Sequence, residues 1–353
     1  MLLFLAAVPA HSASWQQLID RLEADGLDRD RMERLLNAAA PGPISEPMGL
    51  KIKSLYIRKY GSESTAAVQR KLAELGYRPG PADGRCGTRT RKALALFQEV
   101  HRLPVNGRLT PGLAERILSC DEKAPPGKTP PELGKRRGVY DSILTDERLS
   151  EARDFYLANQ RLLSSLESQY GVPREVAVGV LAVETRLGRY LGDENSFLTL
   201  ASMAACNDYD CIKEHFVMER VTDSRRRYID SAARRKSQWA YEELKALIEY
   251  CRQAGLHPLT LPGSVYGAIG ISQFMPTNAV TFGVDGDGDG VVNLFGTEDA
   301  LHTMANFMRH NAGDRIYASR SRQRKALFRY NPSRTYVNTV MAVADHLRTA
   351  ASH

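Results

Sequence analysis

The chain has 353 residues, of which 43% are hydrophobic and 25% are charged. This composition is close to the average for soluble globular proteins, and it excludes a largely disordered chain, a collagen-like chain and a disulfide scaffold. At about 150 residues per domain, the length predicts two to three domains. The 48 basic and 41 acidic residues give a net charge of +7. Such a surplus indicates an anionic partner, for example nucleic acid, a membrane surface or an acidic cell-wall polymer.

The chain contains no apolar run of the roughly 18 residues that a membrane-spanning helix needs, which excludes an integral membrane protein. Residues 1–13 resemble a short secretory signal, because an apolar core from Leu2 to Val8 is followed by small residues. The positive charges that usually precede such a core are missing here. The alternative interpretation is a frayed apolar terminus.

The cysteines are Cys86, Cys120, Cys206, Cys211 and Cys251. They form no Cys-x-x-Cys pair, and no histidine lies at zinc-finger spacing from them, so a zinc site is not expected. If the chain is exported, Cys206 with Cys211 and Cys86 with Cys120 are candidates for disulfides.

Residues 14–60 are predicted to form an N-terminal helical segment. Apolar and charged positions recur at helical spacing over residues 14–38, and Gly26 divides this stretch into two helices. Residues 41–60 begin irregularly and end in a short helix over 51–60.

Residues 61–120 have the pattern of a compact unit of three helices. Val68, Leu72 and Leu75 fall on one face of the first helix, and Phe97 belongs to the apolar face of the second. The turn segments ADGRCGT and VNGRLTP are similar to each other, which indicates a weak internal repeat of a turn followed by a helix.

Residues 121–138 are rich in proline, glycine and charge, a composition typical of a linker. Residues 139–350 are predicted to be mostly helical, with one glycine-rich turn region and at most a short β-hairpin. The sequence therefore predicts a mainly α protein.

Glu184 is the first candidate for chemistry. The segment from Val176 to Val183 is apolar on nearly every face, which predicts a buried helix with Pro173 in its first turn and Gly188 as its C-terminal cap. Glu184 then lies in the last turn, where burial and the negative helix end both raise the pKa of a carboxyl. A raised pKa is what a general acid near neutral pH needs.

The alternative for Glu184 is a solvated side chain paired with Arg186 or Arg189. Ion pairs perturb many carboxylates that have no catalytic role. The local pattern alone slightly favours this second interpretation.

A second candidate is the segment GSVYGAIGISQFMPT at residues 263–277. Its glycines let a ligand approach the backbone closely. Ser264 and Gln273 have side chains that hydrogen-bond a neutral polar substrate, and a sugar is one example. A tight packing element between a helix and a loop explains the segment equally well.

A third candidate is an acidic turn. Asp285, Asp287 and Asp289 precede a glycine with the spacing of the first half of an EF-hand calcium loop. Without a cation, these carboxylates would repel one another. Gly296 stands where the standard loop has its bidentate glutamate, so Asp299 is expected to close a longer loop. The alternative is an acidic turn in solvent.

Tyr330, Asn331 and Tyr336 form a fourth candidate, because aromatic faces and an amide suit stacking on and hydrogen bonding to sugar rings. Tyrosines that cover a helical core are an equally good explanation. Asn331 is not a glycosylation site, because proline follows it. Basic runs at 220–236 and 315–329 are most simply explained as solvated helix faces.

Taken in order, VETRLGRYLG, GSVYGAIGISQFMPT, VDGDGDGVVNLFGTEDA and YNPSRTYV resemble lytic murein transglycosylases of the membrane-bound lytic transglycosylase B type. The resemblance covers about residues 139–350, with a weaker echo in 14–38. It implies a lysozyme-like, mainly α catalytic domain with an EF-hand-like loop. It also implies cleavage of the β-1,4 bond between N-acetylmuramic acid and N-acetylglucosamine, with formation of a 1,6-anhydromuramic end.

The same resemblance implies roles for individual residues. Glu184 becomes the sole catalytic acid and base, and catalysis needs no cofactor. The residues implied to bind substrate are Ser264, Gln273, Tyr330, Asn331 and Tyr336. A structural Ca²⁺ is implied, with ligands from Asp285, Asp287, Asp289, the backbone carbonyl of Val291, and Asp299.

Residues 61–120 resemble a small three-helix peptidoglycan-binding domain, carried by LGYRPGPADGRCGTRTRKALALFQ and LPVNGRLTP. The expected partners are therefore the glycan strands of peptidoglycan, and other cell-wall enzymes are also conceivable. A periplasmic or cell-envelope location follows. No nucleic acid is expected, because the positive charge is spread out and no recognition motif is present.

Two other functions remain open. A hydrolytic muramidase would use water as the nucleophile and needs a second carboxylate, for which Asp193 or Glu194 is available. A non-catalytic cell-wall-binding protein would use only the binding module.

Overall fold

In a computed structural model, residues 14–133, 138–313 and 315–350 are described, and they form a mainly α protein. The predicted signal segment, residues 1–13, lies outside the described residues. Within the described ranges, no helix is both long enough and apolar enough to cross a bilayer.

The α-helices are, in chain order, α1 (Gln16–Ala24), α2 (Arg29–Ala39), α3 (Glu46–Tyr60), α4 (Glu63–Glu74), α5 (Thr88–Val100), α6 (Pro111–Leu118), α7 (Asp146–Ala158), α8 (Gln160–Tyr170), α9 (Arg174–Thr185), α10 (Ser196–Ala205), α11 (Asp223–Ala254), α12 (Pro276–Phe282), α13 (Thr297–Ala312), α14 (Arg320–Tyr330) and α15 (Arg334–Ala350). Short 3-10 helices cover Asp141–Ile143, Lys213–Phe216, Pro258–Thr260 and Ile316–Ala318.

The described residues pack into two units. The first comprises those of 1–44, 137–205 and 237–353, and the second those of 45–136 and 206–236. Helix α11 contributes residues to both units. The boundaries of the sequence-based domains stay a prediction.

The break at Gly26 is confirmed, because α1 ends just before it and α2 begins just after it. Helix α3 begins at Glu46, earlier than the helix predicted over 51–60. Glu46 and Pro47 both suit a first helical turn, since an acidic side chain favours the N-terminal end and proline needs no hydrogen bond there.

Helix α9 forms the centre of the first unit, as its apolar sequence predicts. Val176, Val180 and Leu181 are fully buried, and α9 packs against α7, α8, α13 and α15. Gly179 permits the close approach of α15, because a Cβ at this position would lie 2.9 Å from the carbonyl oxygen of Val340.

The first unit contains one small antiparallel sheet of two strands among the described residues. Strand β1 (Glu194–Asn195) pairs with β2 (Pro262–Gly263), with Glu194 opposite Gly263. The two strands come from distant parts of the chain and do not form a hairpin. The pairing instead joins the start of α10 to the glycine-rich segment. Within the glycine-rich segment, Ile269 and Phe274 form an isolated antiparallel bridge, so the β structure stays within the expected limit of at most a short β-hairpin.

Helices α4, α5 and α6 of the second unit enclose the predicted apolar core, which includes Val68, Leu72 and Phe97. The weak repeat is also visible. The amide of Gly84 donates to Oε1 of Gln69 at 2.8 Å, and the amide of Gly107 donates to Oε1 of Gln98 at the same distance. Each turn is thus held by a glutamine of the preceding helix.

The predicted linker is not a free tether where it is described. The amide of Ala124 donates to the carbonyl of Leu75 at 2.7 Å, and Lys123 Nζ donates to the carbonyl of Glu74 at 2.7 Å. Residues 121–133, which we call the strap, therefore lie along the three-helix module. The composition predicted a linker, but it gave no signal that this segment would form hydrogen bonds with the C-terminal end of α4 and with Leu75, which follows it.

Cys206 and Cys211 form a disulfide, as one of the two candidate pairs predicted. The other candidate pair is wrong, because Cys86 and Cys120 are not disulfide-bonded.

Candidate active site

Glu184 lies in the last turn of α9, and its side chain is partly buried. The helix ends earlier than predicted. Arg186 and Leu187 adopt left-handed backbone conformations with φ of 52° and 61°, so Gly188 is not the first residue to leave the helix. The amide of Leu187 donates to the carbonyl of Leu181 at 2.9 Å, which offsets the cost of these conformations.

The arginines next to Glu184 pair with other carboxylates. Arg186 donates to Glu151 and to Glu147 of α7, each through Nη2 at 2.5 Å. Arg189 Nη1 donates to Glu151 at 2.6 Å. Among the described residues, no ion pair involves Glu184. The alternative interpretation of Glu184 as one half of a surface ion pair with Arg186 or Arg189 is therefore wrong.

The electrostatic surroundings of Glu184 suit a proton donor. Burial raises the pKa of its carboxyl from 4.5 to about 7, and the hydroxyl of Tyr336 opposes part of this rise. At neutral pH the carboxyl can therefore both hold and release a proton.

Two tyrosines lie close to Glu184, and of these Tyr336 is buried and Tyr330 is partly exposed. The rings of Tyr330, at the end of α14, and Tyr336, in α15, are stacked with centroids 6.3 Å apart. Burial and the nearby Glu184 carboxylate raise the pKa of each phenol well above its usual range. Asn331 lies in the turn between them and is partly exposed.

The hydroxyls of these tyrosines differ in their partners. The Tyr330 hydroxyl donates to the carbonyl of Ser272 at 2.5 Å. The buried Tyr336 hydroxyl makes no hydrogen bond of normal geometry within the described residues, although it is near enough to Glu184 to lower its pKa.

The glycine-rich segment is fastened to the end of α9. The Thr185 hydroxyl donates to the carbonyl of Ile271 at 2.6 Å and accepts from the amide of Gly188 at 3.0 Å. Thr185 is fully covered, so this link is shielded from water. It places residues 263–277 beside Glu184.

Ser264 and Gln273 both have local partners. The Ser264 hydroxyl accepts from the amides of Tyr266 and Ala268, which closes the turn around it. Gln273 has a left-handed backbone with φ of 50°, and its amide nitrogen donates to the carbonyls of Leu191 and Gly270. No partner for its amide oxygen is found in the described part of the chain.

Glu184 lies between two neighbouring cavities. The larger, of about 750 Å³, is lined by Glu184, Ile143, Arg148, Val183, Arg186, Arg189 and Tyr190. The smaller, of about 240 Å³, is lined by Glu184, Tyr190, Gly192, Asp193, Glu194, Gly263, Ser264, Val265 and Gln273. Only Glu184 and Tyr190 line both, so a ligand that extends through the two cavities passes the carboxyl.

The structure thus brings Ser264 and Gln273 to a cavity wall beside Glu184. Tyr330, Asn331 and Tyr336 are absent from the linings of both cavities. The two tyrosines lie near Glu184, and their predicted contact with substrate stays a prediction.

Sequence reasoning missed Thr185, Tyr190 and Arg148. Arg148 Nη2 donates to the carbonyl of Ala182 in the last turn of α9, at 2.8 Å. Its position in α7 gives no local signal for this contact. Thr185 follows Glu184 directly, and its side-chain hydroxyl inside an apolar helix was the available signal.

The acidic turn brings three carboxylates together. Ligand atoms of Asp285, Asp287 and Asp289 lie within 4.8 Å of one another. Asp285 also accepts from the amides of Gly288 and Gly290, at 2.7 and 2.8 Å. Carboxylate oxygens at such spacing match the donors that Ca²⁺ prefers.

Asp299 lies outside this cluster. Its side chain is buried, and its two oxygens accept from the amides of Gly286 and Asn293, at 2.7 and 2.6 Å. Asp299 therefore holds both ends of the loop together. Its predicted role as a cation ligand, and that of the Val291 carbonyl, stay predictions.

Comparison with known proteins places the chain in a family. Residues 114–315 match the family described as transglycosylase SLT domain, and residues 61–117 match a peptidoglycan binding domain. The chain is 27% identical over 203 residues to membrane-bound lytic murein transglycosylase B of Escherichia coli, covering 56% of this chain and 49% of that protein. It thus spans about half the length of that curated relative.

Solved structures are also similar to this chain. The Escherichia coli lytic transglycosylase Slt35, in complex with bulgecin A, is similar with a TM-score of 0.50 and 18% identity, over 74% of this chain and 94% of that chain. Soluble lytic transglycosylase SltB1 from Pseudomonas aeruginosa has a TM-score of 0.49 and 20% identity, over 63% of this chain and 86% of that chain. The expected mainly α, lysozyme-like class is confirmed.

The match to the transglycosylase SLT domain covers residues 114–315, which is more than half of this chain. It includes Glu184, both cavities beside it and the acidic turn. The chain therefore belongs to the transglycosylase SLT domain family.

Proposed function

We propose that this protein is a peptidoglycan lytic transglycosylase. It cleaves the β-1,4 bond between N-acetylmuramic acid and N-acetylglucosamine and leaves a 1,6-anhydromuramic end. The observation that carries the proposal is the Glu184 carboxyl. It has no cation partner among the described residues, its pKa is raised to about 7, and two cavities meet beside it.

In the proposed reaction, protonated Glu184 donates its proton to the glycosidic oxygen as the bond to C1 breaks. The resulting carboxylate then accepts the proton of the muramic C6 hydroxyl, whose oxygen forms the new bond to C1. One carboxyl performs both steps and ends in its starting protonation state. No water is consumed, and no cofactor takes part.

Residues around Glu184 divide into two groups in this proposal. Gln273 and Ser264 line the smaller cavity, where the Gln273 amide oxygen accepts a hydrogen bond from the glycan. Tyr336 and Tyr330 support the Glu184 carboxyl from the interior, and Asn331 extends this group towards the surface. The burial of Tyr336 favours positioning of the carboxyl by this residue over direct stacking on sugar.

Residues 61–120 bind peptidoglycan in this proposal and hold the catalytic unit near its substrate. A tethered second site raises the effective concentration of the substrate without any change in the catalytic residues. The glycan strands are the principal partner. We place the protein in the periplasm or cell envelope, which the disulfide between Cys206 and Cys211 supports, because disulfides persist mainly in oxidising compartments.

We further propose that the acidic turn holds a structural Ca²⁺. Asp285, Asp287 and Asp289 supply carboxylate oxygens, and the Val291 carbonyl and Asp299 complete the proposed ligand set. The cation would relieve the repulsion between the three exposed aspartates. None of these residues lines the two cavities beside Glu184. The proposed Ca²⁺ therefore contributes to the stability of the protein.

A hydrolytic muramidase is the second candidate, and one observation favours it. Asp193 and Glu194 line the smaller cavity together with Glu184, where a second carboxylate could activate water. Against this role, the Asp193 carboxylate accepts a hydrogen bond from the Tyr190 hydroxyl at 2.5 Å. Family membership also favours the transglycosylase.

Three matched variants test these assignments in an assay for soluble products from purified peptidoglycan. Glu184→Gln should lower the rate by about 10² to 10⁴-fold, the usual contribution of a general acid or base. Asp193→Asn and Glu194→Gln should each retain activity within about tenfold, since neither carboxyl takes part in proton transfer. Substantial activity in Glu184→Gln would overturn the proposal, and a loss in Asp193→Asn equal to that in Glu184→Gln would favour the muramidase.

A further inference from the structure

A cavity of about 430 Å³ lies on the three-helix module, and none of its lining residues belongs to the site around Glu184. One wall is the outer face of α5, with Arg89, Lys92 and Leu96. The turn at Gly76–Arg78 forms the second wall. The strap, through residues 124–130, forms the third.

The strap contacts the module at several points along its length. Besides its backbone hydrogen bond from Ala124 to Leu75, Lys128 Nζ lies 3.2 Å from a carboxylate oxygen of Glu99 in α5. Lys71 of α4 pairs with Asp121 at the start of the strap, at 3.2 Å. Pro125 and Pro126 stiffen the backbone between these contacts.

The rim of the cavity is cationic. Arg78, Arg89 and Lys92 are exposed, and in the described part of the chain no acidic side chain pairs with them. Lys128 adds a fourth positive charge that Glu99 balances. The rim therefore has an excess of three positive charges, which attracts an anionic group.

The floor of the cavity is apolar and offers no face for a sugar. Tyr77 lines it but is only 2% exposed, and Ala93 and Leu96 are also buried. Protein sites for neutral sugars use exposed aromatic faces and amides, and those groups are missing from this lining. Cations above an apolar floor instead suit a short chain that carries both carboxylates and aliphatic groups.

We propose that this cavity binds the acidic peptide stems of peptidoglycan, through contacts of Arg78, Arg89 and Lys92 with stem carboxylates. This inference rests on the proposed function in one respect, namely that the peptide belongs to peptidoglycan. It assigns recognition of the peptide to the module, and it gives the strap a role as a wall of the site in addition to that of a connection. The free α-carboxylate at the end of a stem is the group that the cationic rim matches best.

The test is a calorimetric titration of the full chain with a synthetic stem tetrapeptide whose carboxylates are free. The same titration is repeated with the peptide fully amidated. The free peptide should bind at least about tenfold more tightly, which corresponds to the loss of at least one charge-assisted contact. Its affinity should also fall as salt increases, because the rim is exposed.

Variants locate the site. Arg89→Ala and Lys92→Ala should each weaken binding of the free peptide by about fivefold, the scale of a partly exposed ionic contact. Arg108→Ala and Arg116→Ala remove equally exposed cations of the same module that do not line the cavity, and they should leave affinity unchanged. Circular dichroism identifies any variant that fails to fold, and the comparison of the two peptides on the unaltered chain needs no variant.

Three results would overturn the inference: no binding of the free peptide, equal binding of the amidated peptide, or equal losses in the cavity variants and the control variants. The same protein preparation is assayed for release of anhydromuropeptides. Activity without peptide binding would reject this inference and leave the proposed function intact. Peptide binding without activity would reject the proposed function and leave the site standing.

Discussion

Arg186 and Glu151 form a bidentate ion pair, in which Nε and Nη2 of the arginine donate to Oε2 and Oε1 of the carboxylate at 2.8 and 2.5 Å. Arg186 follows Glu184 by two residues and is the nearest cation to it in sequence. Arg186 pairs with both Glu151 and Glu147 of α7, and burial is the main cause of the raised pKa of Glu184. We therefore expect the raised pKa of the proposed acid to depend on a carboxylate of α7.

The first prediction concerns the pH dependence of activity. Since the first step needs protonated Glu184, the rate should fall as pH rises through about 7. Glu151→Gln leaves Arg186 with Glu147 as its carboxylate partner and removes the carboxylate partner of Arg189, and the uncompensated positive charge then favours ionised Glu184. The falling limb should move to lower pH by up to about one unit in a pH–rate profile.

Glu167→Gln is the matched control, because it removes an ion pair with Arg174 of 3.1 Å at the opposite end of α9. Its profile should coincide with that of the unaltered chain. A limb that stays in place in Glu151→Gln would contradict the role given to the Arg186–Glu151 pair.

The second prediction links Glu184 to stability. Its pKa is about 7 in the folded protein and 4.5 in the reference state, so the folded protein binds the proton more tightly. The stability that this proton contributes is fully present below about pH 4.5 and is lost as pH rises through about 7. The loss is at most about 3 kcal/mol, and less where solvent reaches the carboxyl.

Glu184→Gln cannot titrate and should lack this loss. Urea unfolding of both proteins at pH 5 and pH 8.5 gives the comparison. The variant should gain stability relative to the unaltered chain as pH rises. If the difference in free energy of unfolding between the two proteins is the same at both pH values, the pKa of Glu184 is not raised in the folded protein.

The third prediction concerns the disulfide between Cys206 and Cys211, which closes a loop with a sequence separation of 5. Replacing both cysteines by serine should cost about 2 kcal/mol, because a short closed loop removes only a small amount of chain entropy. The free energy of unfolding measures the effect. A reductant should destabilise the unaltered chain by a similar amount and leave the stability of the double variant unchanged. If the reductant destabilises both proteins, the loss of stability does not come from this disulfide.

The fourth prediction concerns the acidic turn. Ca²⁺ at about 100 times its Kd should stabilise the protein by about 2.7 kcal/mol, observed as a higher Tm than in NaCl of equal ionic strength. Asp287→Asn should abolish this rise, because it removes one of the three clustered carboxylates and keeps an oxygen that accepts from the amide of Asp289. Chelation that abolished activity without any change in Tm would contradict a purely structural role.

Much of the helical architecture follows from local sequence. Gly26, the apolar faces of α4 and α5, and the apolar run before Glu184 predict elements that the structure contains. These signals are local, because they depend on periodicity and on residues that end helices. The acidic triplet is equally local, and the structure clusters its carboxylates.

What the sequence could not supply are partners from distant segments. The local pattern slightly favoured pairing of Glu184 with Arg186 or Arg189, and only the position of α7 shows that Glu151 takes both arginines. The sequence predicted the end of α9 at Gly188, but the helix ends at Thr185. The Thr185 hydroxyl donates to the carbonyl of Ile271 in the glycine-rich segment, and this distant partner gives no local signal. The strap contacts on α4 also join residues that are remote in sequence.

The most direct test of the central claim is the mass of the soluble products that the purified chain releases from peptidoglycan. If Glu184 acts alone as acid and then base, the products are anhydromuropeptides, which are one water lighter than hydrolysis products. Reducing muropeptides would contradict the account, because their formation requires an activated water and a second carboxylate near Glu184.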